Sequence, residues 1–352
     1  MNWELQLDRE VFSNPVIDMD GNIVFTGVSD LMGREKLYSV SNSGVINWEV
    51  ELEGVLHSAP LITSDSLIYV VHNIGRKGYL VQLDIRGNVL WKYEFNHARA
   101  RSTRSPNISK DGSTIYLCGS DSALNAINRD GTLQWKYSIA PAASWGEPSI
   151  SPDGNTIYFV GNNFVLYSVH KDGNLNWSVQ LDNTRSHIIS PVIDNQGNIY
   201  LYAGTTFYSI NPDGIIRWQY GDMTGGTYLN GCTIGHDGTI YVTNIWSYYA
   251  FDYAGNLKWD MWLQDKYVDI FNIPIVDILG NTYLGIVFTG PNDEDWYNIN
   301  FVSFDSEGSI RYKIYLGSGL SLDIDSPGCI DGSGNFYVGS DGELTPMLFS
   351  IR

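Results

Sequence analysis

The chain has 352 residues, of which 43% are hydrophobic and 13% aromatic, and this composition is ample to fill a globular core. Its 39 acidic and 21 basic residues give a formal net charge of −18, which favours solubility and disfavours a nucleic-acid backbone as partner. The sequence contains no apolar run long enough to span a bilayer.

The first predicted element is a strand at residues 2–7, which begins almost at Met1. No basic segment followed by an apolar one precedes it, so the numbered sequence shows no export signal. We therefore expect a cytoplasmic protein as numbered, or a periplasmic or extracellular one if such a signal was removed.

A Gly-x-x-x-Trp motif then returns along the whole chain at a spacing typical of propellers, solenoids and arrays. Its copies are Gly44/Trp48, Gly87/Trp91, Gly131/Trp135, Gly173/Trp177, Gly214/Trp218 and Gly255/Trp259, with Gly308/Tyr312 as an aromatic variant. A second marker keeps the same period, at Pro15, Pro60, Pro106, Pro148, Pro191, Pro274 and Pro327, with Cys232 in the remaining place. We expect the repeated tryptophan to pack between units or over an outer turn.

Each repeat predicts four short antiparallel strands, here called a to d. Residues 189–220 show the pattern, with four runs of β-branched and aromatic residues separated by Gly, Asn, Asp and Pro. Asp-Gly pairs such as Asp20-Gly21 and Asp130-Gly131 indicate tight turns, because they tolerate positive φ angles. The proline cannot donate a ladder hydrogen bond, so strand a is predicted to be the sheet edge that lines a central channel.

Counting the repeats predicts an all-β, eight-bladed β-propeller of four-stranded antiparallel blades. The a strands are expected to begin near residues 14, 59, 105, 147, 190, 231, 273 and 326. The last repeat stops at its c strand, and residues 2–7 supply the missing d strand with Trp3 as the eighth aromatic residue. The N-terminal strand is thus predicted to close the ring, with residues 1–352 as a single domain.

The repeats resemble those of the pyrroloquinoline-quinone-like family of eight-bladed propellers. The resemblance lies in the segments 124–135 and 208–218, and it extends along the whole chain. It implies the propeller fold but leaves the activity open, because the family includes quinone-dependent dehydrogenases as well as noncatalytic members.

The same resemblance bears on cofactors. The quinone-dependent alcohol dehydrogenases of the family stack the quinone on a vicinal disulfide and hold calcium near the axis, whereas Cys118, Cys232 and Cys329 fall in separate blades. The sequence therefore disfavours pyrroloquinoline quinone and calcium, and no metal site or catalytic residue is predicted.

The predicted binding site is the channel mouth on the face formed by the b-to-c loops and the connections between blades. Its candidate residues are His57, Arg101, Arg104, Trp145, Glu147, His187, Tyr228, Asn230 and Asp325. The arginines suit a carboxylate, phosphate or acidic sugar, or else neutralise acidic neighbours on adjoining blades.

Two functions remain open from the sequence. The first is a noncatalytic scaffold that presents this face to a protein, peptide or glycan. The alternative is an enzyme, either quinone-dependent or polysaccharide-active, that uses His57, Arg104, His187 and Tyr228 as base, clamp and acid.

Overall fold

A computed structural model describes residues 2–11, 13–28, 34–56, 58–96, 105–119, 122–139, 146–182, 190–221, 223, 229–244, 246–262, 268–270, 273–289, 297–319, 328–340 and 347–351. Within these ranges the regular secondary structure is 34 β-strands. No helix in these ranges is long and apolar enough to cross a bilayer.

The strands follow one another in blade order, after an N-terminal strand β1 (Trp3–Gln6) that belongs to the last blade. Blades 1 to 3 contain β2 (Glu10–Val11), β3 (Val16–Ile17), β4 (Ile23–Val28), β5 (Arg34–Val40), β6 (Ile46–Glu53); β7 (Leu61–Ile62), β8 (Ile68–Ile74), β9 (Lys77–Leu83), β10 (Val89–Asn96); and β11 (Asn107–Ile108), β12 (Thr114–Gly119), β13 (Ala123–Asn128), β14 (Leu133–Ser138). Blades 4 and 5 contain β15 (Ser149–Ile150), β16 (Thr156–Val160), β17 (Val165–His170), β18 (Leu175–Gln180); and β19 (Val192–Ile193), β20 (Ile199–Ala203), β21 (Thr206–Ile210), β22 (Ile216–Tyr220). Blades 6 to 8 contain β23 (Leu229–Ile234), β24 (Ile240–Asn244), β25 (Ser247–Phe251), β26 (Leu257–Trp262); β27 (Val268–Ile270), β28 (Ile275–Val276), β29 (Thr282–Thr289), β30 (Tyr297–Phe304), β31 (Ile310–Gly319); and β32 (Cys329–Ile330), β33 (Phe336–Ser340), β34 (Met347–Ile351).

These strands form eight antiparallel sheets, which confirms the predicted eight-bladed propeller. The last sheet has the order β1-β34-β33-β32, with Trp3 opposite Ser350 and Gln6 opposite Met347. The N-terminal strand therefore completes the C-terminal blade, as the repeat count predicts. Closure leaves no open end of the array exposed to edge-to-edge association.

The proline-marked inner strands are short, with two residues each, whereas β23 of blade 6, where Cys232 stands in place of the proline, has six. Pro60 and Pro148, for example, come directly before the two-residue strands β7 and β15. In blades 1 and 7 the inner edge is divided, since β2 and β3 both pair with β4, and β27 and β28 both pair with β29. The proline markers thus locate the sheet edges correctly.

The hydrophobic core lies between blades. The described residues contain eight apolar clusters, one for each blade-to-blade interface. At the closure, Val11 and Phe25 of blade 1 pack with Tyr337 and Leu348 of blade 8, and all four side chains are buried. Such burial contributes about 25 cal/mol per Å² of apolar area and stabilises the ring at every interface.

The Gly-x-x-x-Trp motif joins neighbouring blades. The indole Nε1 of Trp91 donates to the backbone oxygen of Arg129 in the next blade at 3.1 Å, and its ring lies against Gly131. A Cβ on Gly131 would meet the indole Cδ2 at 2.9 Å. The same pair of contacts is made by Trp3, Trp48, Trp135, Trp177, Trp218 and Trp259, with Trp3 reaching Asn42 of blade 1.

The a-to-b and c-to-d turns form one face of the propeller, here called the turn face. In the first of them, Asp18 Oδ1 accepts from the backbone N–H of Asp20 at 2.9 Å and of Asn22 at 2.8 Å. Gly21 has φ of +81°, whereas Asp20 does not have a positive φ. The turn therefore depends on the glycine and on a capping Asp three residues before it.

Candidate functional site

Seven of the nine predicted mouth residues lie outside the described residues. They are His57, Arg101, Arg104, Trp145, His187, Tyr228 and Asp325. Their grouping around the channel stays a prediction. The other two, Glu147 and Asn230, are placed by the structure.

Glu147 belongs to a row of hydrogen bonds that links the inner edges of four blades. The backbone N–H of Ala59 donates to Ser105 Oγ at 3.1 Å, and the N–H of Ser105 donates to Glu147 Oε1 at 3.1 Å. The N–H of Glu147 in turn donates to Ser190 Oγ at 2.8 Å. Each of these four residues directly precedes a marker proline, so the row follows the repeat around the ring.

Asn230 lies in the inner strand β23 of blade 6, at an irregular point of the ladder. Leu229 pairs with Asn244 and Gly231 with Thr243, so the register shifts between them at Asn230. This is the one extra residue of a β-bulge, a feature that turns a strand locally and is frequent next to functional sites.

The structure also shows clefts on the turn face, where the sequence predicted no site. A cleft of about 570 Å³ lies between blades 3 and 4 and includes Lys110, Gln134 and Asp172. A second, of about 440 Å³, lies between blades 4 and 5 and includes Asn176, Trp177 and Gln196. Both are formed by turns of one blade facing the side of its neighbour.

A third cleft on this face has a volume of about 710 Å³ and spans blades 5, 6 and 7. We call it the blade 5–7 cleft. It is lined by Ile193, Asp194, Asn195, Gln196, Tyr200, Ile234, Gly235, His236, Asp237, Gly238, Tyr253, Val276, Asp277 and Ile278. Apolar side chains thus stand beside three carboxylates, and no Lys or Arg is among these described lining residues.

Hydrogen bonds lower the pKa of two carboxylates of this cleft, those of Asp277 and Asp237. Burial works to raise the pKa of the Asp277 carboxyl, but donation from Asn281 Nδ2 at 2.8 Å and from Tyr283 Oη at 2.9 Å outweighs it and lowers the pKa. The pKa of Asp237 is also lowered: desolvation opposes the shift, and the Thr239 N–H and hydroxyl bring it about. Both groups are therefore anions at neutral pH.

Two cations stand close to the blade 5–7 cleft. Lys258 Nζ lies 4.0 Å from Asp237 Oδ2. Arg217 donates to Tyr200 Oη at 3.1 Å, and its guanidinium lies 4.1 Å from the centre of the Tyr253 ring. The arginine thus stiffens the aromatic wall of the cleft through a cation–π contact.

The cysteines and the acidic side chains of the described residues offer no other obvious chemical centre. Burial raises the pKa of Cys232 and of Cys329 to about 12, which keeps both as thiols at neutral pH. Among the described residues, no three His, Cys, Asp or Glu side chains come together in a group that could hold a metal ion.

The sequence indicates the turns that form these clefts when the repeats are aligned with one another, although no single repeat does so. The pattern Asp-x-x-Gly-Asn recurs, for example at Asp194–Asn198, Asp277–Asn281 and Asp331–Asn335, and in each case the Asp caps its own turn. The two residues between Asp and Gly stand at the tip of the turn. Their chemistry therefore decides what each blade presents on this face.

The comparisons with known proteins agree with the fold. The profile of the pyrroloquinoline-quinone-like repeat family described as "Outer membrane protein assembly factor BamB" matches residues 2–163 and 120–264. Among curated proteins, none matches the sequence significantly.

Three solved structures illustrate the structural likeness. BamB from Moraxella catarrhalis is 15% identical with a TM-score of 0.68, over 99% of this chain and 97% of the other. The C-terminal WD40 domain of Sif2 is 13% identical with a TM-score of 0.69, over 98% and 97%. A catalytically inactive virginiamycin B lyase from Staphylococcus aureus with quinupristin is 13% identical with a TM-score of 0.59, over 83% and 94%. At these identities the likeness concerns the fold alone.

Proposed function

This chain belongs to the pyrroloquinoline-quinone-like repeat family described as outer membrane protein assembly factor BamB, and from that premise we propose that it is a noncatalytic scaffold that binds a protein partner. The observation that carries the proposal is the interlocked ring, in which each motif tryptophan reaches the next blade. A ring joined in this way holds its turns and loops in fixed relative positions, and a preorganised surface loses little entropy when a partner binds.

A protein partner fits the chemistry of the described surface better than a nucleic acid does. The net charge of −18 opposes a phosphate backbone. The blade 5–7 cleft combines exposed aliphatic and aromatic side chains with carboxylates, which is the mixture found at protein interfaces. The family description also names an assembly factor, and assembly proceeds through contacts between proteins.

The position of Glu147 supports a noncatalytic role at the inner edge of the blades. One of its carboxylate oxygens accepts from Ser105, and its backbone binds Ser190, so this predicted mouth residue joins blades 3, 4 and 5. We extend the proposal to cofactors: neither pyrroloquinoline quinone nor calcium is needed for the scaffold.

Affinity capture tests the proposal. The purified tagged protein is incubated with extract from its source cells, and retained proteins are identified by mass spectrometry, with excess untagged protein as competitor. We expect a protein retained in fixed proportion and displaced by the competitor. A parallel titration with pyrroloquinoline quinone and calcium is followed by absorbance and calorimetry. A bound quinone spectrum with turnover of an alcohol, and no displaceable protein, would contradict the scaffold.

A further inference from the structure

The a-to-b turn of blade 7 differs from its seven counterparts in what it presents at its tip. It carries Ile278 and Leu279, whose side chains are 77% and 78% exposed. The other seven turns hold at least one polar residue or glycine at these positions: Met19-Asp20, Ser64-Asp65, Lys110-Asp111, Pro152-Asp153, Asn195-Gln196, His236-Asp237 and Gly332-Ser333. Among the eight a-to-b turns, blade 7 is therefore the one with two adjacent exposed aliphatic side chains. The other adjacent exposed aliphatic pairs of the described residues follow c-to-d turns and are less exposed: Val45-Ile46, Val89-Leu90 and Ile215-Ile216.

The fold does not require aliphatic residues at this tip. The turn is held by its ends, because Asp277 Oδ1 accepts from the N–H of Leu279 and of Asn281 at 2.9 Å each. Gly280 completes it with φ of +81°. The side chains of Ile278 and Leu279 take part in none of these bonds, and the same geometry forms around Asn195 and Gln196 in blade 5.

The turn also holds the backbone of the two residues in a defined place. All the donors to Asp277, from Leu279, Asn281 and Tyr283, belong to the turn or to the strand that follows it. An apolar pair on a fixed backbone beside a cleft suits an interface anchor, because little backbone entropy is lost when a partner covers it.

The charges beside the pair indicate what the partner carries. Ile278 shares the wall of the blade 5–7 cleft with Asp194, Asp237 and Asp277, and the described lining residues include no Lys or Arg. Lys258, Arg217 and Arg311 stand close to these carboxylates, at Asp237, Tyr200 and Tyr283 respectively, but none of them lines the cleft. A partner segment that covers the apolar pair therefore meets the three carboxylates in the lining of the cleft, and basic side chains complement them.

We propose that the blade 7 turn and the blade 5–7 cleft form a docking site for a protein segment in which aliphatic residues are flanked by lysine or arginine. The aliphatic residues cover Ile278 and Leu279, and the basic residues lie over the carboxylates of the cleft. This inference rests on the proposed scaffold function and names the surface and the chemistry of its partner.

Three fluorescent peptides test the site on the intact protein by anisotropy: Lys-Lys-Leu-Leu-Lys-Lys, Glu-Glu-Leu-Leu-Glu-Glu and Lys-Lys-Ser-Ser-Lys-Lys. We expect saturable binding of the first peptide, binding of the other two that is weaker by about tenfold or more, and weakening of the first at an ionic strength of about 1 M, where the Debye length is about 3 Å. Equal binding of the first and third peptides would overturn the apolar anchor, and absence of binding by the first would overturn the site.

Matched variants locate the site. The double variant Ile278→Ser/Leu279→Ser is expected to weaken binding of the first peptide about tenfold, which corresponds to about 1.4 kcal/mol. Met19→Ser changes another exposed turn residue, in blade 1, and is expected to have no effect. An equal loss in both proteins, or none in the double variant, would overturn the assignment. Unchanged melting temperatures verify that each variant is folded.

A second pair of variants separates the cleft from the general charge of the protein. Asp237 and Asp130 each accept from the N–H and the hydroxyl of a threonine two residues later. Asp237→Asn is expected to weaken binding several-fold, whereas Asp130→Asn in blade 3 leaves it unchanged. Equal effects of the two variants would mean that nonspecific attraction to an acidic protein accounts for the binding, and the docking site would be rejected.

The captured partner of the scaffold experiment distinguishes the two proposals. If that partner binds the Ile278→Ser/Leu279→Ser protein as tightly as the parent, the scaffold stands and the docking site is wrong. If no partner is captured but the first peptide binds with the specificity described above, the docking site stands and the scaffold proposal fails. Loss of the partner in the double variant alone supports both.

Discussion

At the scale of single residues, the repeated motif is explained by one contact. The glycine of each Gly-x-x-x-Trp motif has a positive φ and lies against the indole of the preceding blade. The tryptophan of the same motif makes the corresponding contact with the following blade. One motif therefore joins three blades, which explains why glycine and tryptophan recur together rather than separately.

Replacing Gly131 by alanine tests this contact. The added Cβ meets the Trp91 ring at 2.9 Å and also places alanine at φ of +86°. Gly334→Ala is the matched control, because φ is +82° there but no atom lies within 4 Å of the new Cβ. We expect the control to lose about 1–2 kcal/mol from the left-handed conformation, and Gly131→Ala to lose about 1–3 kcal/mol more from overpacking. Equal losses in urea unfolding would contradict the packing explanation.

The lowered pKa values of two turn aspartates predict that the folded protein loses stability at low pH. Ser109 and Ser113 lower the pKa of Asp111 to about 2, and Ser151 and Asn155 do the same for Asp153. The unfolded value is about 3.9. Since the folded pKa is the lower one, the stabilisation is fully present above pH ~4 and disappears as the pH falls through ~2.

The double variant Asp111→Asn/Asp153→Asn should therefore melt below the parent at pH ~6, with the gap narrowing as the pH approaches ~2. Asp20→Asn serves as the control, because this carboxylate stands at the same place in the blade 1 turn and accepts no hydrogen bond from any described residue. A gap that is constant between pH ~6 and ~2 would show that the two carboxylates are not linked to folding in this way.

At the scale of elements, the turn capped by an aspartate is, after the strands, the element that the sequence indicates most clearly. In blade 8, Asp331 accepts from the backbone of Ser333 and Asn335, from Asn335 Nδ2 and from Tyr337 Oη, all within 3.0 Å. Asn335 Oδ1 in turn accepts from Asn2 Nδ2 at 3.1 Å. This turn thus supports the strand that closes the ring.

Asp331→Ala removes the acceptor of four hydrogen bonds and is expected to lower the free energy of unfolding by about 1–3 kcal/mol. Asp331→Asn retains an oxygen for the two backbone donors, so we expect an intermediate loss. Urea unfolding of the parent and of the two variants measures the order of their stabilities. An alanine variant that is as stable as the asparagine variant would show that the carboxylate cap contributes little.

The sequence predicts the inner and outer strands of the blades well, because a proline marks the first and a tryptophan marks the second. Pro60 and Pro148 mark inner edges, and Trp91 and Trp177 mark outer strands, so blade number and closure follow from counting. The division of the inner strand in blades 1 and 7 does not follow, because β2 and β27 have only two and three residues and pair with β4 and β29 beyond the proline-marked strands β3 and β28.

The candidate site was harder to predict, for a different physical reason. The hydrogen bond that Glu147 accepts from Ser105 depends on how neighbouring blades align, which no local pattern encodes. The blade 5–7 cleft likewise arises from three turns that are far apart in sequence. Ile278 and Leu279 are visible in the sequence as an aliphatic pair between Asp277 and Gly280, but only when the repeats are aligned turn by turn.

At the scale of the whole molecule, the ring is closed by the two ends of the chain. Strand β1 pairs with β34, and Trp3 Nε1 donates to the backbone oxygen of Asn42 in blade 1 at 2.8 Å. Asp8 follows β1, and its carboxylate accepts from Lys36 Nζ of blade 1 at 2.7 Å and from Tyr38 Oη. Residues 2–8 thus connect blades 8 and 1.

Deleting residues 1–8 should consequently destabilise the entire ring. The deletion removes the ladder to β34 and the Trp3 side chain, whose loss alone costs up to about 3–5 kcal/mol. We expect aggregation or a large fall in melting temperature. Trp262→Ala is the control, since Trp262 is 40% exposed and lies outside the motif. A deletion variant that melts within about two degrees of the parent would be incompatible with closure.

Hydrogen exchange of the intact protein, read by mass spectrometry in peptides that cover residues 2–7, tests the closed ring most directly. Because Trp3, Glu4, Leu5 and Gln6 pair with β34, their ladder amides should exchange as slowly as those of the outer strand Leu175–Gln180, which serves as an internal reference. Exchange of residues 2–7 at the rate of an unstructured chain, with the reference strand still protected, would contradict the eight-bladed ring closed by its N-terminal strand.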